Sequence, residues 1–140
     1  MATPSPARVA DTEKITINLG FVDLGRIDLL VREGFYASRS DLIRAAIRAQ
    51  LDRHDAAVSP TIIREDFMMG LRDVSRSELQ SLADAHEMLD LRVIGLARFA
   101  SDIPAELIPA TIRSIEILGT IQATGEVKKA LEACRHSKGR

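Results

Sequence analysis

The chain has 140 residues, 28% of them charged, with 19 Lys and Arg against 20 Asp and Glu. It suits one compact domain or two small ones, and at 46% hydrophobic it can bury a core, which speaks against a disordered chain. No apolar run reaches the roughly 20 residues of a membrane-spanning helix, Met1–Ala10 holds no apolar block of the signal-peptide kind, and one cysteine excludes an internal disulfide framework.

Residues 1–11 carry Pro4 and Pro6 among small residues and read as a flexible tail. From Lys14 to Leu19 the chain alternates strictly: Ile15, Ile17 and Leu19 share one side, Lys14, Thr16 and Asn18 the other. Period 2 predicts a strand with one buried face. Val22, Ile27, Leu30 and Val31 then recur at helical spacing, predicting a helix over about 23–33 that Gly34 ends. Ser38 is a good N-cap with Asp41 three residues on. Behind it Leu42, Ile43, Ala46, Ile47 and Leu51 form the stripe of a second helix, with Arg44 and Arg48 on its other face. One strand and two helices in about forty residues cannot pair the strand's backbone or bury enough surface alone. Two copies with antiparallel strands cure both deficits, and their outer Lys14, Thr16 and Asn18 faces then form one polar ribbon of a size that fits the DNA major groove.

The run Lys14-Ile-Thr-Ile-Asn-Leu19, with Gly34-Phe-Tyr-Ala-Ser-Arg-Ser-Asp-Leu-Ile-Arg-Ala-Ala-Ile-Arg48 behind it, resembles the ribbon-helix-helix proteins of the Arc/MetJ/CopG class. These are bacterial DNA-binding repressors that include nickel-responsive regulators and antitoxins. The resemblance covers 12 to about 53 and departs from the family at Gly20–Gly25, where a Pro- or Ser-led acidic helix start is usual. It implies an intertwined dimer over residues 12–54. Lys14, Thr16 and Asn18 would read base edges, and Ser38, Arg39 and Ser40 would hold phosphate at a helix N-terminus. The dimer core would be Ile15, Ile17, Leu19, Ile27, Leu30, Leu42, Ile43 and Ile47. Residues 12–55 hold seven Lys and Arg against seven Asp and Glu, so any pull on DNA must come from the ribbon and the start of the second helix.

Residues 55–61 carry no clear apolar period and end in Ser59-Pro60, which reads as a linker. From 62 to 134 an internal repeat emerges. Met68-Met-Gly-Leu71, Val93-Ile-Gly-Leu96 and Ile117-Leu-Gly-Thr120 share a core whose glycines, Gly70, Gly95 and Gly119, fall 25 and 24 residues apart. Each copy reads as a strand, a turn with Ser75, Ser101 or Thr124, and a short helix. Ser75-Arg-Ser-Glu78 is a capping box, so a helix is predicted from Arg76 to about Leu89 and another over Val127–Ala133. Pro104 and Pro109 restrict the middle copy to a turn of helix. The fold class is α+β: the dimeric head, then a small α/β domain of about three strand-helix repeats, solenoid-like. A β-α-β-β-α arrangement of the ferredoxin or ACT kind, close to the sensor domains of nickel-responsive regulators, is the alternative. The half also resembles the uncharacterised C-terminal region of some proteobacterial CopG-like regulators. Residues 135–140 read as a basic tail.

His54, His86 and His136 are scattered, and Cys134-x-His136 is the only close pair among the histidines and the cysteine, so no metal or other cofactor is expected. No phosphate loop or nucleophile-base pairing stands out, which speaks against an enzyme. The expectation is a cytoplasmic, nucleoid-associated transcriptional regulator, a repressor, with double-stranded DNA as partner. It would act as a homodimer or, through the second half, a tetramer or higher oligomer with oligomerisation or sensing duties toward an unknown effector. An antitoxin with a toxin partner, or a self-assembling structural protein, is the alternative.

Overall fold

The structure, a computed structural model, describes residues 12–136 and divides at His54 into two units. The tail expected over 1–11 and the last four residues lie outside the described residues.

In the first unit, residues 13–20 carry no assigned strand. The alternation is present, but a ladder needs a neighbour, and a single chain offers this segment none. Gly20, extended at ψ 150°, leads into α1, Phe21–Arg32. The helix ends in a Schellman motif: Gly34 N–H donates to the Val31 carbonyl, Phe35 N–H to the Leu30 carbonyl, and Gly34 sits at φ +83°. Then comes α2, Arg39–Arg64. The segment read as a linker is therefore helical. Pro60 has no N–H to give and removes one ladder bond, but it stands in the last turns of the helix. The Ser59 hydroxyl donates to the Asp55 carbonyl at 2.9 Å. The helix stops at a second Schellman motif, with Asp66 at φ +55°.

The second unit alternates strictly: β1 (Met68–Val74), α3 (Arg76–Asp84), β2 (Leu89–Phe99), α4 (Leu107–Thr111), β3 (Ile112–Gln122) and α5 (Gly125–His136). The three strands are parallel in the order β1-β2-β3, which rules out the ferredoxin or ACT arrangement with its antiparallel pairing. The repeat read from sequence is the sheet's register: Gly70 pairs with Gly95, and Gly95 with Gly119. All three adopt positive φ, and a Cβ on Gly95 would meet the Gly70 carbonyl oxygen at 2.2 Å, one on Gly119 the Gly95 oxygen at 2.1 Å. Only glycine lets these backbones approach so closely.

Leu91, Val93, Ala97 and Phe99 of β2, with Ile115 and Ile117 of β3, pack against Leu79, Ile103, Ile108, Val127 and Leu131 to make the core. Ser75 caps α3, taking the Glu78 N–H at 3.2 Å. The Glu78 carboxylate turns to Arg72 instead of closing the box. α3 stops at Asp84, short of the expected Leu89, because His86 takes φ +54° in a third Schellman motif. Thr124 accepts the Val127 N–H at 3.3 Å at the start of α5. α5 runs on to His136, so Arg135 and His136 belong to a helix and not to a tail.

Candidate nucleic-acid interface

The segment 13–20 is uncovered on both sides. Lys14, Thr16 and Asn18 are exposed, as a reading face must be, but so are Ile15 (79%), Ile17 (60%) and Leu19 (41%). Three β-branched or leucine side chains in water at alternate positions cost free energy that burial against a partner would recover, about 1.5–3 kcal/mol for each side chain fully buried.

The helices behind the segment repeat this pattern. Neither α1 nor α2 contains a fully buried residue. Ile27, Leu42 and Ile43 of the expected core are half-buried, whereas Leu30 and Ile47 are exposed. The least exposed positions of α1 are Leu24, Ile27 and Val31, a stripe at helical spacing that includes Leu24 and leaves Val22 in solvent. Leu24 escaped the sequence reading because Gly25 and the acids around it broke the stripe, although its i, i+3, i+7 spacing with Ile27 and Val31 was visible.

At the start of α2 the expected phosphate-contacting residues come together. Ser38 is the N-cap: its hydroxyl takes the Asp41 N–H at 3.1 Å, and its carbonyl takes the Leu42 N–H. The Asp41 carboxylate reaches back to the Ala37 N–H at 3.0 Å. These bonds use the third and fourth N–H groups of the helix and leave those of Arg39 and Ser40 at its open, positive end. The Arg39 side chain is held by Asp28 of α1, Nε to Oδ1 at 2.7 Å and Nη2 to Oδ2 at 2.8 Å. Hydrogen bonding to Arg39 holds the Asp28 carboxyl below its ordinary range, and the same pair pushes the Arg39 guanidinium up. Asp28 was not foreseen, since the pairing spans eleven residues across the turn between α1 and α2. The fork leaves Nη1 to point elsewhere and fixes the guanidinium beside the helix start. Arg44 and Arg48 stand exposed further along α2.

Among the described residues no group of three or more His, Cys, Asp or Glu is placed to hold a metal. Cys134 is buried, its thiol donating to the Ile112 carbonyl at 3.6 Å, and burial pushes its pKa up. His86 serves as the helix terminator described above. No helix among the described residues is long and apolar enough to cross a membrane.

In comparison with known proteins, the model of a family described as ribbon-helix-helix transcriptional regulators matches residues 10–128. The match extends through the head and most of the second unit, so both belong to one family pattern. No curated protein and no solved structure matches the chain.

Proposed function

The chain belongs to the ribbon-helix-helix transcriptional regulator family, whose members bind DNA as dimers, and from that premise we propose that it is a sequence-specific repressor reading the major groove with a two-stranded ribbon. Two copies pair their 13–20 segments antiparallel. Ile15, Ile17 and Leu19 turn inward onto α1 and α2 of both copies, and Lys14, Thr16 and Asn18 turn outward. Lysine donates to guanine O6 and N7, asparagine pairs with adenine N6 and N7, and threonine bonds a base edge or touches a thymine methyl. Ser38, Arg39 and Ser40 bind the flanking phosphate with a hydroxyl, a guanidinium and two helix N–H groups.

The observation that carries this reading is the exposure of Ile15, Ile17 and Leu19 beside two helices that bury no residue of their own. A head of about forty residues with no fully buried side chain in its helices lacks a core of its own, which a second copy would supply. The second unit has its own core, which favours a regulator with a folded C-terminal domain over an antitoxin whose tail orders only on its toxin.

The test is selection of bound fragments from fragmented genomic DNA by the purified full chain, followed by a gel shift on the recovered site. Recovery of a defined sequence, bound by a dimer, supports the proposal. Recovery of random fragments, or none, overturns it.

A further inference from the structure

The second unit's sheet is clothed on one face only. The residues at odd positions of β2, Leu91, Val93, Ala97 and Phe99, are buried beneath the helices. The even positions face the other way. In the strand register they align as Met69–Ile94–Leu118 and Leu71–Leu96–Thr120, two rows across the middle of the sheet. Met69, Leu71 and Leu118 are exposed, and Ile94 and Leu96 only half-buried between them. Parallel sheets ordinarily have both faces covered. We infer that this bare face packs against the same face of a second copy of this chain.

Charge and size point to that occupant. At the rim of the sheet the charges are already paired within the chain. Arg98 forks Asp73 at 2.5 and 3.0 Å, Asp90 takes Arg113 and the Ser114 hydroxyl, and Arg92 donates to the Glu65 carbonyl at 3.1 Å. A phosphate backbone would require cations to spare on this face, and a charged protein partner would have to break these pairs. A face of equal polarity, apolar in its two middle rows and neutral at its rim, breaks none of them.

Three strands and the seven residues from Arg92 to Arg98 make a patch of roughly 300–400 Å² per copy. A free-standing interface needs about 800 Å² on each partner. The patch is therefore too small to recruit a partner from dilute solution, yet sufficient for one already tethered. The paired first halves supply such a neighbour at about millimolar effective concentration. The inference takes its second copy from the dimer of the proposed function.

The experiment uses the full chain with Leu96→Cys, and separately Leu118→Cys, treated with a bismaleimide whose reach matches the roughly 10 Å between packed sheets. Gln80→Cys, on exposed α3 beyond the covered face, is the control, and native Cys134 is buried and slow to react. The expected result is a covalent dimer from either sheet position, in a yield independent of protein concentration, and little from Gln80→Cys. Light scattering on the same variants before the reagent is added reads whether the chain is a dimer at all. A dimeric chain whose two sheet-face variants stay uncrosslinked, or crosslink no better than the control, overturns the face pairing alone. A monomeric chain overturns both the pairing and the proposed function.

Discussion

Asp28 of α1 and Arg39, the first residue of α2, form a two-point ion pair at 2.7 and 2.8 Å, so the cation expected on DNA phosphate is also the clasp between the two helices. Both groups are exposed, and an exposed pair adds little to stability. Its effect falls on binding. Arg39→Ala should weaken binding to the recovered site and to random DNA alike and flatten the dependence of log K on log salt by about one. Asp28→Asn should do the reverse, since it removes the competing carboxylate and leaves Arg39 in place. Salt titrations of both variants check this; identical slopes in the two would exclude Arg39 from the phosphate contact.

The ribbon residues should behave differently from Arg39. Thr16→Ala and Asn18→Ala remove groups from the polar side of the 13–20 segment and alter none of its isoleucines. Each lost base contact should cost about 1–3 kcal/mol on the cognate site and almost nothing on random DNA. Gel shifts on both DNAs, with circular dichroism to confirm that the dimer is folded, separate this outcome from unfolding. Equal losses on both DNAs would show that the ribbon touches backbone instead of bases.

How much of this was legible before folding differs from element to element. The repeat was fully visible, because Gly70, Gly95 and Gly119 must align for the strands to pass and their spacing is written directly in the chain. The alternation of 14–19 was visible too, although it forms no ladder within one chain, because its partner strand is not local. The break expected at 55–61 failed for a local reason: a single proline near a helix end removes one ladder bond without ending the helix. Asp66 and His86 stop their helices in a left-handed conformation that sequence marks clearly only when the residue is glycine. The Asp28–Arg39 clasp and the bare sheet face are tertiary, and no spacing rule encodes them.

The glycine row yields a graded series. Gly95→Ala and Gly119→Ala place a methyl group on a carbonyl oxygen of the adjacent strand, at 2.2 and 2.1 Å, in a backbone that alanine already resists. Each should cost about 4 kcal/mol or more, lowering the melting midpoint of the second unit by about 15 °C or more. Gly70→Ala meets nothing within 4 Å and carries only the strain of φ +115°, about 1–3 kcal/mol. Thermal melts of the three variants check the order. A Gly70 variant as damaged as the Gly95 variant would mean that strain, and not the crossing carbonyl, sets the glycine requirement.

Asp90 makes the acid limit of the second unit testable. Hydrogen bonds from Arg113 and from the Ser114 hydroxyl hold its carboxyl at about 2, against an ordinary value of 3.8. The folded protein therefore binds the proton more weakly than the unfolded chain does. The stabilisation is complete above the unfolded value, begins to fall as the pH drops through 3.8, and is gone below about 2. The group is largely exposed, so water and salt screen the effect and keep it small. Asp90→Asn retains an acceptor for Ser114 but loses the charge. It should be less stable than the unaltered chain at pH 7, with the gap closing between pH 5 and pH 2 and shrinking in high salt. Asp73, whose carboxyl Arg98 also holds below its ordinary range, titrates in both proteins and cancels in the comparison. Urea midpoints of the two proteins at pH 7, 5, 3 and 2 measure the gap; a gap that stays constant across that range would mean that the Asp90 charge contributes nothing to the fold.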